Sequence, residues 1–247
     1  MKYALTLEYD GGGFAGWQVQ PHARTVAGEL ATALARLTGE SPAVHAAGRT
    51  DAGAHSLGQV VSFELTRDWE PARLRSGLNA HLPEDVAVVE AGLVSGTFHA
   101  RFSAIRRSYR YLVENRESRP ALLRGHAWHV RRALDLEPMR AAGAALLGRH
   151  DLGAFGRDPG GRNTVRMLER LEVEPARAGV VGFELSADAF LYGMVRRIVG
   201  FLVAVGLGRR DAAEASALVV PGAVCTAPVA PAHGLYQLRP RYAEAIA

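Results

Sequence analysis

Ala47-Gly48-Arg49-Thr50-Asp51-Ala52-Gly53-Ala54-His55 is a polar turn set between two apolar runs, Val44-His45-Ala46 before it and Gln59-Val60-Val61-Ser62-Phe63 after it. Reading it as a turn makes those runs two successive strands, and that decides the fold. Glycines at 48 and 53 allow positive φ on either side and a close backbone approach to a ligand. With residues 49 to 51 extended, Arg49 and Asp51 project to the same side, because side chains alternate along such a chain. Taken alone, the same residues are also met by an Asx-turn at Asp51 and a surface ion pair at Arg49, which is worth little. The rest of the chain has to separate the two readings.

Working outward, Tyr3-Ala4-Leu5-Thr6-Leu7-Glu8-Tyr9 alternates and predicts a strand. Gly11, Gly13 and Gly16 then satisfy a G-x-G-x-x-G pattern, but Trp17-Gln18-Val19-Gln20-Pro21 follows where a dinucleotide site needs a helix. This predicts a glycine loop that lets backbone approach another surface. Thr25 caps a helix carrying Val26, Leu30, Ala33, Leu34 and Leu37 at helical spacing, and Gly39 stops it. Beyond the central turn come a strand from Gln59 to Leu65, a helix from Glu70 to Leu78 and a strand from Asp85 to Leu93. That order, strand-helix-strand-strand-helix-strand, is the split β-α-β, ferredoxin-like pattern.

After Ser95-Gly96-Thr97 the alternation is renewed. Ser108-Tyr109-Arg110-Tyr111-Leu112-Val113 predicts a strand with Tyr109 and Tyr111 on one face and Arg110 on the other. Helices are expected at 135–147, 192–207 and 211–219, strands at 164–173, 180–187 and 234–238, and a loop at 150–163. The expected fold is α+β: two ferredoxin-like domains, 1–104 and 105–247, joined through a largely antiparallel central sheet with helices on one face.

Of the 247 residues, 48% are hydrophobic and 22% charged, an ordinary globular composition. Lys2 leads straight into a strand pattern, so no secretory signal is expected. The apolar run from Met194 to Leu207 is too short to span a bilayer and is interrupted by Arg196 and Arg197. The single Cys225 excludes an intramolecular disulfide and fits a reducing compartment. A cytoplasmic protein is expected. The net charge of +4 is unevenly spread: residues 101–132 hold nine arginines against Glu114 and Glu117, a local excess of +7. Lys2 is the only lysine, and guanidinium forks suit phosphate oxygens and base faces.

Tyr109 lies in that basic segment beside Arg106, Arg107 and Arg110, a mixture suited to unpaired or flipped nucleotides as well as to an ordinary half-buried strand. Arg101 extends the segment. Arg196 and Arg197 on so apolar a helix call for a partner, since a buried unpaired charge is very costly; Arg196 paired with Asp51 is the expectation, and snorkelling of both to solvent the alternative. The histidines are scattered without three convergent ligands, so no metal site is expected. No nucleophile elbow and no phosphate-binding loop are found.

Taken together, these residues closely resemble the tRNA pseudouridine synthase A (TruA) family. The resemblance rests on Tyr9-Asp10-Gly11 through Trp17-Gln18, Gly48-Arg49-Thr50-Asp51-Ala52-Gly53 with His55, Gly58-Gln59-Val60-Val61, Asn79 with Leu82-Pro83, Phe98 to Ala104, Tyr109-Arg110-Tyr111, Met194-Val195-Arg196 with Ile198-Val199-Gly200, and Gly234-Leu235-Tyr236. Tyr192-Gly193 and the glycines of 156–163 depart from the family's pattern. The resemblance implies isomerisation of uridine to pseudouridine at positions 38, 39 and 40 of the tRNA anticodon stem-loop, by a cofactor-free homodimer whose RNA-binding cleft lies on the sheet face opposite the helices. It makes Asp51 the catalytic aspartate, Arg196 its partner, Tyr109 the residue against the base, and Arg49 a wedge; Arg101, Arg106, Arg107 and Arg110 are the expected phosphate contacts. A non-catalytic RNA-binding protein on the same sheets is the alternative from another class. A glycosidase would need a second acid opposite Asp51, and none is evident.

Overall fold

The alternation at the N-terminus becomes β1 (Lys2–Tyr9) in a computed structural model that describes residues 1–157, 161 and 163–243. A 3-10 turn at Gly11–Gly13 follows, then α1 (Val26–Thr38), whose first turn is held by the Thr25 hydroxyl accepting from the Gly28 amide. Next come β2 (His45–Ala46), β3 (His55–Glu64), α2 (Pro71–His81) and β4 (Val86–Leu93). The start of α2 is fixed by Glu70, whose carboxylate accepts from the amides of Ala72 and Arg73, with Pro71 in the first turn where its missing N–H costs nothing. These strands lie in the order β4-β1-β3-β2, each neighbour antiparallel.

Strand alternation sorts this sheet into two faces. Tyr3, Leu5 and Leu7 of β1 pack with Leu30 and Leu34 of α1 and Leu74 and Leu78 of α2, all fully buried. Each such leucine contributes about 1.5–3 kcal/mol relative to exposure. Ala4 and Val60 point the other way and are covered by Phe98 and Ala100, from the connection after β4.

Arg106–Leu235 forms a second compact unit, and Met1–Ile105 with the chain from Tyr236 onward forms the first. The second contains most of β5 (Ala104–Asn115), then β6 (Trp128–Val130), α3 (Leu136–Ala144), β7 (Gly148–Asp151), β8 (Val165–Arg177), β9 (Val180–Ala187), α4 (Met194–Gly206) and α5 (Glu214–Ala217). β5, β9, β8 and β7 run antiparallel in that order, with Tyr109 opposite Leu185 and Tyr111 opposite Phe183. Ile198, Phe201 and Leu202 of α4 are fully buried, with Phe201 edge-on to Phe155 at 5.9 Å. Finally β10 (Leu235–Gln237) sets Tyr236 and Gln237 parallel to His55 and Ser56 of β3. The first unit thus takes back the last residues of the chain, which a cut at 104 assigns wholly to the second.

Several local expectations are corrected. β3 opens at His55, four residues before Gln59, so the central turn is shorter than its polarity suggests. Gly53 takes positive φ (79°), but Gly48 does not. Only Glu214–Ala217 of the expected 211–219 helix is helical. Gly148–Asp151 is a strand and Gly153–Phe155 a 3-10 turn, where a continuous loop over 150–163 was expected; residues 158–160 and 162 of that stretch lie outside the described residues. The polar Arg149, His150 and Asp151 hide a strand because pairing with β8 supplies its order, not an apolar pattern.

Candidate active site

The turn bearing Asp51 is built by backbone contact with the glycine segment that follows β1. The Trp17 amide donates to the Thr50 carbonyl at 3.1 Å, the Gly53 amide to the Phe14 carbonyl at 3.3 Å, and the Ala54 amide closes the turn on the Asp51 carbonyl at 3.1 Å. A Cβ on Gly11 would stand 1.9 Å from the Ala54 oxygen, and one on Gly16 2.8 Å from the Thr50 oxygen. Gly11 and Gly16 are required because two backbones meet there. Side chains complete the clamp: the Tyr9 and Thr50 hydroxyls are 2.8 Å apart, and the Gln59 amide donates to the Gly48 carbonyl at 2.6 Å. Thr50 is buried, Asp51 half-buried and Arg49 exposed.

His55 enters β3 directly behind this turn. Its ring is buried, stacks on Tyr236 at 4.8 Å, and places Nδ1 3.0 Å from both the Gly11 amide and Asp10 Oδ1. An amide N–H can only donate, so Nδ1 is the acceptor in that bond. Burial, together with the Asp10 charge, pushes the Tyr236 phenol up to about 12. Neither the Tyr9–Thr50 bond nor the His55–Tyr236 stack is legible in the sequence, since both join residues far apart in the chain.

In the second unit, Tyr109 is half-buried and meets Phe190 edge-on at 4.9 Å, while Tyr111 on the same face is fully buried with its hydroxyl donating to the Pro231 carbonyl at 2.7 Å. Burial drives the Tyr111 phenol far above its ordinary range, and the nearby Arg196 charge opposes that shift. Arg196 neither snorkels away nor is left to find its own orientation. Its Nε donates to the Ala230 carbonyl at 2.8 Å, and the Ala230 amide donates back to the Arg196 carbonyl at 3.0 Å. The segment from Pro228 to Pro231 is therefore a strap laid against α4 over Gly200, where a Cβ would stand 1.8 Å from the Pro228 oxygen. No local signal in the sequence marks Ala230 as the group that aims Arg196.

The arginines expected to bind phosphate are mostly engaged with acids or carbonyls. Arg106 pairs with Glu169; Arg110 meets Glu184 at 2.6 Å, which also receives Arg170 at 3.0 Å; Arg107 donates to the Asp188 carbonyl at 2.8 Å. The local excess of positive charge is thus partly offset by glutamates of β8 and β9, which the count over 101–132 leaves out. Arg101 is exposed and lies over the Phe102 ring at 5.5 Å.

A family model described as tRNA pseudouridine synthase matches residues 6–103 and 142–243. Curated relatives named tRNA pseudouridine synthase A align over nearly all of the chain. That from Methylobacterium sp. (strain 4-46) is 48% identical, covering 95% of this chain and 94% of the relative. Those from Bradyrhizobium diazoefficiens and Nitrobacter hamburgensis are 45% and 44% identical, each covering 98% of this chain and 99% of the relative. With these relatives, the α+β chain is an isomerase acting on tRNA. The chain belongs to the tRNA pseudouridine synthase family.

Proposed function

We propose that this chain converts uridine to pseudouridine in tRNA, at positions 38, 39 and 40 of the anticodon stem-loop, with Asp51 as its catalytic group and no cofactor. The reading is carried by the Asp51 turn: a half-buried carboxylate on a turn fixed by backbone contacts on both sides. Isomerisation breaks C1′–N1, turns the uracil, bonds C5 to C1′ and moves the C5 proton away while N1 regains one. Atoms balance without a redox partner. Ionised Asp51 acts either by attacking C1′ or by taking a proton from the sugar. Arg196 is read as the cation favouring that ionised form, with its guanidinium oriented by Ala230.

A uracil within a stem must be flipped out, which costs a few kcal/mol. Arg49 is exposed two residues before Asp51, which suits it to fill the vacated stack. Tyr109 stacks on the detached base, with Phe190 supporting its ring. Arg101, together with Arg106, Arg107 and Arg110 where they exchange their present partners for phosphate, adds phosphate affinity that falls as salt rises. The order β4-β1-β3-β2 supports the ferredoxin-like reading of the first unit, and the second runs β5-β6-α3-β7-β8-β9-α4, which fits the same reading with the short β6 and β7 added to it. The proposed working form is a homodimer in the cytoplasm, with tRNA crossing both subunits.

Release of tritium from C5-labelled uridine in unmodified tRNA tests the reaction, and none above background with the wild-type chain would remove it. Asp51→Asn is expected to keep tRNA binding while losing turnover; wild-type turnover by that variant would show that another group does the chemistry.

A further inference from the structure

The geometry points to a base-stacking platform on the first unit, formed by Phe102, His99 and His45, that takes an unpaired nucleobase of the bound RNA. The inference rests on the proposed function for its ligand class, and on the structure for its place.

Phe102 is the tip of a tightly fixed turn. Phe98 and Ala100 are buried against Ala4 and Val60, on the face of the sheet opposite α1 and α2. The Ala100 amide donates to the Ser62 hydroxyl at 3.1 Å, and its carbonyl accepts from the Tyr242 hydroxyl at 2.7 Å. His99 and Ser103 bond reciprocally, amide to hydroxyl at 3.0 Å and amide to carbonyl at 2.9 Å. A turn so constrained nevertheless leaves Phe102 75% exposed. Lone exposed apolar side chains are common and carry little meaning; a ladder of rings is different.

His99 lies 4.5 Å from the Phe102 ring and 4.6 Å from the His45 ring, each pair tilted by less than 40°. Its Nδ1 accepts from the amides of Arg101 and Phe102, at 3.1 and 3.4 Å, which fixes the ring plane. Burial and the neighbouring His45 hold His99 below the ordinary imidazole value, which favours the neutral ring. Arg101 adds a guanidinium 5.5 Å from the outer ring. Planar rings in series with one cation match a nucleobase and its phosphate, the arrangement by which proteins hold single-stranded RNA. Both ends of the ladder, Phe102 and His45, are exposed.

The test is tRNA binding by Phe102→Ala, Phe102→Leu and Phe102→Trp in the full chain, with Val224→Ala, another strongly exposed apolar residue, as control. Removing one base–aromatic stack weakens binding by roughly 5- to 150-fold. The expected order is Trp at least as tight as Phe, with Leu and Ala weaker by that factor and the control unchanged. Leucine keeps the apolar bulk, so its loss of affinity marks stacking even if alanine perturbs the turn. Wild-type affinity in both Leu and Ala variants overturns the platform. So does conversion of a wild-type dimer to monomer by Phe102→Ala in light scattering, since a second copy would then be the occupant. Tritium release by the wild-type chain is measured alongside: its absence removes the synthase reading, whereas release with undiminished binding by the variants removes only the platform.

Discussion

Gly11→Ala isolates the contact on which the Asp51 turn depends. Gly11 has no positive φ, so alanine brings no backbone strain of that kind. Its methyl would sit 1.9 Å from the Ala54 oxygen and 2.5 Å from the Ala54 carbon. Ordinary contact begins near 3.4 Å, so the two backbones must separate by about 1.5 Å. Ala54 is bonded through its amide to the Asp51 carbonyl, so the displacement passes directly to the residue proposed to do the chemistry. Overpacking of this kind costs about 1–3 kcal/mol, equivalent to a melting temperature lower by roughly 2–12 °C for a chain of this size. A misplacement of about 1 Å at reacting groups is worth on the order of 100-fold in rate. Single-turnover tritium release should therefore fall by about 100-fold, with tRNA affinity nearly unchanged. Gly96→Ala, with nothing near its Cβ, should behave as wild type. A Gly11→Ala protein that is folded and turns over at the wild-type rate would refute the argument that backbone contact positions Asp51.

Arg196→Lys keeps the charge but gives up the planar fork that reaches the Ala230 carbonyl, so turnover should drop at least roughly tenfold with little change in tRNA affinity; unaltered turnover would show that the strap does not orient it. Tyr111→Phe removes the bond to Pro231, and thermal unfolding should report a loss of about 0.5–1.5 kcal/mol. Arg24 grips Asp85 through both oxygens, at 2.7 and 2.8 Å, and holds that carboxyl below its usual range. A depressed carboxyl stabilises the fold above its unfolded value of about 3.9 and loses that contribution as pH falls through the lower folded value. Arg24→Met should therefore lower stability at neutral pH and flatten the acid limb of urea midpoint against pH; an unchanged limb would place the acid sensitivity elsewhere. Arg110→Gln should lessen the salt dependence of tRNA binding by about one unit of slope if Arg110 exchanges Glu184 for a phosphate, whereas an unchanged slope would leave it as an intramolecular pair.

What the sequence determined by itself were the features carried by local periodicity and local chemistry. Alternation placed β1 and β4, helical spacing with Thr25 and Gly39 set α1 to within a residue, and the turn at 47–55 separated β2 from β3. Period and capping act within a few residues, so they survive in one dimension. The tertiary structure alone decided what depends on pairs distant in the chain. Gly11 faces Ala54, Tyr9 meets Thr50, Ala230 aims Arg196, and the glutamates of β8 and β9 pair with the arginines of β5. β7 formed without an apolar pattern because β8 supplied its hydrogen bonds. Phe102, His99 and His45 became one stack only when the segment after β4 crossed the sheet. Such contacts are set by which surfaces the folded chain brings together, and residue spacing along the sequence carries no record of them.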